Sequence, residues 1–315
     1  MFQILELKKT VNFLKHAVPV SIMSVILVIA SIATLATKGI NWGLDFTGGT
    51  VVEMEFSQAA DLTALREQLV APEVEGAVVQ NFGTSRDVII RLPVKEDFKS
   101  DVQVRATQAA AAIVDANVET KRVEFVGPQV GAELAEQGGL AVLVALICIL
   151  MYVSFRFEWR LAMGSVAALA HDVILTLGIF SLFQLEFDLT VLAGVLTVVG
   201  YSLNDTIVVF DRIRENFLKI RKSGPSEIVN TSITQTMSRT IITTGTTLIV
   251  VVALFMKGGA MIHGFATALL MGIVVGTYSS IYVASYLAVR LGVSREHMLP
   301  VEVEKEGADQ DALMP

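Results

Sequence analysis

The chain has 315 residues and a formal net charge of −7, and 53% of its residues are hydrophobic while only 17% are charged. In soluble domains about a quarter of all residues are charged, so this composition excludes an ordinary soluble protein and indicates a membrane protein. The single cysteine, Cys148, excludes a disulfide framework and a cluster of thiolate metal ligands.

Six apolar runs approach or reach the length of about 20 residues that a membrane-spanning helix requires. They cover residues 16–36, 140–155, 161–183, 189–210, 240–256 and 264–287. The first run is too long for the apolar part of a signal peptide, and no convincing cleavage site follows it. We therefore interpret it as a membrane anchor.

Basic residues in the short connections predict the orientation of these spans, because such loops resist translocation. The residues concerned are Lys8, Lys9, Lys15, Arg156, Arg160, Arg212, Arg214, Lys219, Arg221, Lys222, Arg239, Arg290 and Arg295. If the spans alternate, all of these residues fall on one side, which is then the cytoplasm. We expect both termini on that side.

The spans divide the chain into four parts. Residues 1–37 form a cytoplasmic N-terminus and the first helix, residues 38–137 an extracytoplasmic domain (the outer domain), residues 138–290 helices two to six, and residues 291–315 a cytoplasmic tail. The last residues, 301–315, are acidic and lack aromatic side chains, which favours disorder.

Glycine-rich segments lie at both connections of the outer domain. The residues are Gly43, Gly48 and Gly49 at the first connection, and Gly127, Pro128 and Gly131 at the second. Glycine adopts backbone angles that are closed to other residues. These segments form either tight junctions or hinges that let the outer domain move, and both interpretations stay open.

The outer domain follows the order strand, helix, strand, strand, helix, strand. The strands are expected at 51–56, 78–82, 88–92 and 120–126, and the helices at 59–69 and 101–116. This is the order of the ferredoxin-like, split βαβ arrangement of the α+β class. The domain has no metal-ligand spacing, nucleophile motif or phosphate loop, so we predict a mechanical or binding domain and not an enzyme.

The third span carries two polar residues, His171 and Asp172, near the middle of the bilayer. Polar groups at this depth must face protein or water. A structural pair that neighbouring helices satisfy and a proton relay explain them equally well.

The fourth span carries Asn204 and Asp205 inside its apolar run and Asp211 just beyond it. An ionisable group at this depth costs roughly 2.5 to 3.5 kcal/mol on insertion scales, so a pathway for ions or substrate is the default interpretation. A carboxyl group here is poised to take up and release a proton. Arg239, at the start of the fifth span, is the natural cation for this face, and snorkelling to the interface is its alternative role.

Small side chains recur at every fourth position of the sixth span. The residues are Gly264, Ala268, Gly272, Gly276, Ser280, Ala284 and Ala288. Such a row forms a groove into which another helix backbone sinks. We predict close helix packing around Gly272, Gly276 and Ser280, against the same bundle or against a partner.

Two intramembrane aspartates also invite comparison with an aspartyl protease. Such enzymes need two carboxylates that face each other and share a proton. Asp172 and Asp205 lie at different depths, and neither stands in the Tyr-Asp or Gly-x-Gly-Asp settings that these proteases use. We therefore expect no enzymatic activity.

Four segments together resemble a known family. They are Gly-Leu-Asp-Phe-Thr-Gly-Gly at 43–49, Gly-Pro-x-x-Gly at 127–131, His-Asp-Val-Ile-Leu-Thr at 171–176 and, above all, Gly-Tyr-Ser-Leu-Asn-Asp-Thr-Ile-Val-Val-Phe-Asp-Arg-Ile-Arg-Glu at 200–215. The chain is similar to the SecF family, the smaller subunits of the SecD-SecF complex of bacterial protein export, within the resistance-nodulation-division superfamily. The outer domain matches in pattern only.

The resemblance implies an accessory subunit of protein export in the bacterial inner membrane. Such a subunit uses an ion gradient to help draw preproteins out of the SecYEG channel, after the SecA ATPase has started their translocation. Asp205 and Arg239 match the aspartate and the arginine that the family implicates in ion coupling. Superfamily members contain two repeats of six helices, so one such chain requires a second subunit, SecD. YajC, the unfolded preprotein and membrane lipid are further expected partners, and nucleic acid is not.

Two other functions remain open at this point. An exporter of small lipophilic molecules shares the six-helix repeat and the buried carboxylate, although its outer domains are generally much larger. A non-transporting scaffold of the translocon would need Asp205 and Arg239 only as a structural ion pair. No cofactor is expected in any case, and the transported ion is a proton or sodium.

Overall fold

The computed structural model describes residues 10–82, 84–95 and 97–298. In chain order its elements are α1 (Ala17–Lys38), β1 (Asn41–Trp42), α2 (Leu44–Thr47), β2 (Gly49–Glu55), α3 (Leu62–Gln68), β3 (Val78–Phe82), β4 (Thr84–Leu92), α4 (Ser100–Val114), β5 (Glu119–Val126), α5 (Pro128–Arg156), α6 (Trp159–Phe183), β6 (Glu186–Phe187), α7 (Leu189–Lys219), α8 (Pro225–Lys257), α9 (Ala260–Ser279) and α10 (Ser285–Arg290). The acidic segment 301–315 and the basic residues Lys8 and Lys9 lie outside the described residues.

The six predicted membrane spans are confirmed as helices. Those long and apolar enough to cross a bilayer are α1, α5, α6, α7, α8 and the continuous segment Met261–Arg290. That last segment contains a π-helical turn, Ser280–Ala284, between α9 and α10. The chain is therefore a helical membrane protein with a small sheet domain between its first two long helices.

Two helices start earlier than the apolar runs indicate. The second long helix, α5, begins at Pro128 and not near residue 140, and the fifth, α8, begins at Pro225 and not near residue 240. Both open on a proline, which suits the first helical position because its missing N–H has no partner there anyway. An apolar run marks only the part of a helix that lies inside the lipid, so it does not include the polar first turns of these two helices.

The outer domain is ferredoxin-like, as the sequence predicts. Its four strands lie in the order β3-β4-β2-β5, and every neighbouring pair is antiparallel. The helices α3 and α4 cover one face of this sheet. The alternation of β2 places Val52 and Met54 in the core, where both are fully buried.

A second, two-stranded sheet lies at the base of the outer domain. The strand β1 pairs in parallel with β6, with Asn41 opposite Glu186 and Trp42 opposite Phe187. β1 follows the first long helix, whereas β6 connects the third and fourth. Strands of two residues leave no periodic signal, so no pattern in the chain predicts this contact.

Within the membrane, α7 and α9 pack along the row of small residues. A Cβ at Gly272 would overlap the side chain of Val198, and one at Gly276 would lie 2.9 Å from the Ser202 Cβ. Gly264 and Ala268 of the same row meet Val191 and Gly194. The row of the last long helix thus packs on the fourth helix of the same chain, which is the first of the two alternatives, the same bundle or a partner, that the sequence leaves open.

Candidate functional site

Asp205 is buried in the middle of the helix bundle. Its side chain lies on α7 with 3% of its surface exposed. Its Oδ2 atom is buried and has no hydrogen-bond partner among the described residues, and the same holds for the hydroxyl of Tyr201 one turn earlier. A buried polar atom without a partner is costly, so this carboxyl group is not placed there for stability.

A polar groove of about 520 Å³ lies between α7 and α8, and Asn204, the residue before Asp205, lines it whereas Asp205 itself does not. Its lining includes Asn204, Asp211, Gln235 and Arg239. Asn204, Gln235 and Arg239 are exposed. Arg239 thus shares a groove with two of the predicted ion-pathway residues, although within the described residues it forms no ion pair with Asp205.

Asp211 is held by a partner on another helix. Its carboxylate forms an ion pair with Arg156 at the end of α5, at 2.6 Å from the guanidinium. Both side chains are more than a third exposed, so the pair is worth no more than about 1 kcal/mol. The pair nevertheless fixes the side of the groove that Asp211 lines.

His171 and Asp172 lie where four helices meet. The Asp172 Oδ2 accepts hydrogen bonds from Ser202 of α7 at 2.5 Å and from Ser279 of α9 at 2.7 Å. Its Oδ1 lies 2.9 Å from the His171 Nδ1. The His171 ring stacks on Tyr278, with ring centroids 6.1 Å apart.

The same network reaches the first long helix. The Tyr278 hydroxyl donates to the Val20 carbonyl oxygen at 3.0 Å and lies 2.8 Å from the Ser24 hydroxyl. The Asp172 carboxylate is therefore satisfied by neighbouring helices, which favours its structural interpretation, whereas the His171 Nε2 has no partner among the described residues. The sequence did not single out Ser202 or Ser279, although a hydroxyl inside an apolar span is the signal that points to them.

The glycines at the base of the outer domain are sites of close backbone contact. Gly49 has φ +131°, and a Cβ there would lie 2.5 Å from the Leu92 carbonyl oxygen. Gly43 approaches Asp188, and Gly131 approaches the Gly48 amide, at 3.0 Å for the added Cβ in each case. A Cβ at Gly48 would lie 3.1 Å from the Pro128 Cα. At Gly127, no atom of the described residues lies within 4 Å of such a Cβ. Tight packing thus explains four of the five glycines, and a hinge at Gly127 stays a prediction.

Three side chains that the sequence did not single out join the outer domain to the helices. Arg91 of β4 forms an ion pair with Glu186 of β6. The Asn41 amide donates to the Gln184 carbonyl oxygen at 2.9 Å. Asp45 of α2 accepts a hydrogen bond from the Leu189 amide at 2.9 Å. These contacts connect segments that are far apart in the sequence, so no local sequence pattern predicts them.

The Glu186 carboxyl group is unusual among the acids outside the membrane. Burial raises its pKa above the ordinary value, and the nearby Asp188 and Asp45 add to this effect, although the Arg91 guanidinium opposes it. The charged form is thus less favourable in the folded protein than in the unfolded chain. The stabilising contribution of this group is present at acid pH and is lost as the pH rises through the raised pKa.

We therefore expect Glu186→Gln to raise the melting temperature at neutral pH and to lose this advantage at acid pH. The matched control is Glu55→Gln, because Lys121 lowers the pKa of Glu55 through a hydrogen bond and its charge. That substitution should lower the melting temperature at neutral pH, with the difference again vanishing in acid. Thermal unfolding in detergent from acid to neutral pH measures both. A lower melting temperature for Glu186→Gln at neutral pH would contradict the burial argument.

These features define a class of protein: a membrane protein of six long helices with a ferredoxin-like domain after the first and a buried carboxyl group on the fourth. The model of the C-terminal region of SecD/SecF protein export membrane proteins matches residues 106–294, and the SecD/SecF GG motif model matches residues 33–60. The chain belongs to the SecF family of protein translocase subunits.

Full-length relatives support this assignment. The chain is 60% identical to the protein translocase subunit SecF of Vibrio alginolyticus, over 99% of this chain and 100% of that protein. It is 53% identical to SecF of Escherichia coli O157:H7, over 93% of this chain and 91% of that protein. The resemblance seen in the sequence is confirmed.

A solved structure supports the fold. The crystal structure of SecDF, a translocon-associated membrane protein from Thermus thermophilus, superimposes with a TM-score of 0.81 at 38% sequence identity. The match covers 91% of this chain but only 39% of the SecDF chain. A second structure, of SecDF in a super-membrane-facing form, gives a TM-score of 0.68.

Proposed function

We propose that this chain works with a SecD subunit to couple an ion gradient to protein export across the bacterial inner membrane. The observation that carries the proposal is Asp205, a carboxyl group with 3% exposure in the middle of a membrane-spanning helix, one of whose oxygens has no hydrogen-bond partner in the part of the chain that the structure describes. Asp205 is the ion-carrying group, and Arg239 in the adjacent groove is its coupling cation. The outer domain is the element that moves.

The available energy matches this task. Moving one elementary charge through 100 mV supplies about 2.3 kcal/mol. Alternative poses of a domain differ by a few kcal/mol. One ion per cycle is therefore enough to bias the outer domain between two poses, and binding energy from a nucleotide or a cofactor is not needed.

The exposed polar wall of the groove supports a companion subunit. Asn204 lies within a membrane-spanning helix and yet is exposed, as are Gln235 and Arg239. Polar residues at such positions face protein or water and not lipid. A SecD subunit seated on α7 and α8 would cover them, and the SecDF chain, of which this chain spans 39%, offers a second half for that role.

The remaining assignments follow from the same proposal. Both termini lie in the cytoplasm, the outer domain meets unfolded preprotein outside it, and SecYEG, SecA and YajC are the neighbours in the translocase. The chain is not an enzyme and holds no cofactor. Its transported ion is a proton or sodium.

Export into membrane vesicles tests the proposal. We expect vesicles that contain SecD and this chain to translocate a secretory preprotein faster than vesicles without this chain, as long as an ion gradient is present. A protonophore or the removal of sodium should abolish the difference, and which of the two does so identifies the ion. Stimulation that survives the loss of both gradients would contradict the proposal and favour a scaffold.

A further inference from the structure

A carboxylate from another segment binds the outer end of α7. The Asp45 Oδ2 accepts a hydrogen bond from the amide of Leu189, the first residue of this helix, at 2.9 Å. Asp45 belongs to α2, the short helix between the first span and the outer domain. The helix that carries Asp205 is thus bonded directly to the segment that leads into the outer domain.

This bond is additional to the cap that α7 has from its own sequence. Asp188 precedes the helix, and its Oδ1 accepts hydrogen bonds from the Val191 amide and the Thr190 hydroxyl, both at 2.7 Å. Such an N-cap is worth about 1 kcal/mol and is complete without Asp45. Asp45 satisfies a different free amide of the first turn. In doing so it joins two segments that are 144 residues apart.

The α2 helix also contacts both chain connections of the outer domain. A Cβ at Gly48, directly after α2, would lie 3.1 Å from the Pro128 Cα. A Cβ at Gly131 would lie 3.3 Å from the Phe46 carbonyl oxygen. On its other side, the Phe46 ring stacks on Phe187 with centroids 6.2 Å apart. The helix α2 is therefore wedged between the start of α5 and the start of α7.

We propose that Asp45 is the positioning residue through which α7 moves the outer domain. When a change of charge at Asp205 shifts α7, the bond between Asp45 and Leu189 carries α2 along. The contacts of α2 with β2 and α5 then turn both connections of the outer domain together. This inference rests on the proposed function, because it assigns the mechanical link between the ion site and the moving domain.

Three substitutions separate this link from the general stability of the helix. Asp45→Ala removes the acceptor, whereas Asp45→Asn keeps an acceptor oxygen without the charge. Leu189→Pro removes the donor, and proline is well tolerated at the first helical position. Asp188, before it, is already extended with φ −104° and ψ −177°, as a residue before proline must be.

Asp188→Ala is the matched control. It weakens the same first turn of α7 through the local cap but leaves the contact with α2 in place. All four variants are first compared for co-purification with SecD, which shows that they fold and assemble. Leu189→Pro keeps the inference testable even if Asp45→Ala fails to fold, because it leaves Asp45 itself unchanged.

The readout is the distance between two spin labels on the full chain in complex with SecD in lipid nanodiscs. One label replaces Val70 of the outer domain and the other replaces Phe183 at the end of α6, which are 77% and 68% exposed. Cys148 is exposed and is replaced by serine in every variant. Each variant is measured with Asp205 and with Asp205→Asn, which fixes the uncharged state of that residue.

We expect Asp205→Asn to shift the label distance in the otherwise unchanged protein, in Asp45→Asn and in Asp188→Ala, but not in Asp45→Ala or Leu189→Pro. With Asp205 in place, gradient-dependent stimulation of export should persist in Asp45→Asn and in Asp188→Ala and should be lost in Asp45→Ala and in Leu189→Pro.

A label shift that persists in Asp45→Ala and in Leu189→Pro overturns the role of Asp45 and leaves the proposed function intact. Loss of the shift in Asp188→Ala as well overturns it too, because helix stability then explains the effect. If Asp205→Asn does not shift the label distance in the otherwise unchanged protein, the proposal that the outer domain moves is overturned, and the role of Asp45 is overturned with it.

Discussion

Asp205→Asn is expected to abolish the gradient-dependent stimulation of export while assembly with SecD persists. The asparagine side chain is nearly the same size, so the packing of α7 is retained. It cannot take up or release a proton, and it carries no charge to compensate a sodium ion. The lost driving energy, about 2.3 kcal/mol per charge and 100 mV, corresponds to about a 40-fold change in the equilibrium between two poses.

Export into vesicles with and without a gradient measures this effect. Asp205→Glu is the matched control, because it keeps an ionisable carboxyl group and should retain part of the stimulation. Full gradient-dependent export by the asparagine variant would refute ion coupling at this residue.

The exchange of both charges distinguishes a carrier from a scaffold. If Asp205 and Arg239 served only as a structural ion pair, the double substitution Asp205→Arg and Arg239→Asp would restore function. Among the ion pairs of the described residues none joins Asp205 to Arg239, and a reversed pair cannot reproduce a carboxyl group at the buried position. We therefore expect the double variant to remain inactive.

Gly272→Leu is expected to prevent assembly of a stable helix bundle. A Cβ at Gly272 already overlaps the side chain of Val198, including its branched Cβ, which cannot turn away without moving the backbone of α7. Overpacking of a close contact costs about 1 to 3 kcal/mol and occasionally more. The added side chain also separates α7 from α9 near Ser202 and Ser279, and so strains the hydrogen bonds to Asp172.

The yield of monodisperse protein in detergent and its melting temperature measure this effect. Gly245→Leu provides the control, because Gly245 lies in a membrane-spanning helix of the same chain and, within residues 10–82, 84–95 and 97–298, no atom lies within 4 Å of an added Cβ. Equal yields and melting temperatures for the two variants would show that the close packing of α7 and α9 does not stabilise the bundle.

Patterns within the sequence are enough to predict the membrane class, the six spans and the order of strands and helices in the outer domain. Each of these depends on a local property, such as a long apolar run or the alternation of Val52 and Met54 along one strand. The position of Asp205 within an apolar run equally marked it as a candidate for ion transport. The row from Gly264 to Gly276 indicated close packing, because the spacing of small residues on one helix is local as well.

The surfaces that meet are known only from the packed helices and strands. It placed the small residues of α9 against α7, gave Asp172 its two serine donors, and brought Asp45, Arg91 and Glu186 to the base of the outer domain. Lipid tails are as apolar as the side chains of a membrane helix, so hydrophobicity does not specify a partner helix. The contacts that do specify it join residues more than a hundred positions apart in some cases, as Asp45 and Leu189 are. No local pattern in the chain encodes such a pairing, because it exists only once the helices have packed.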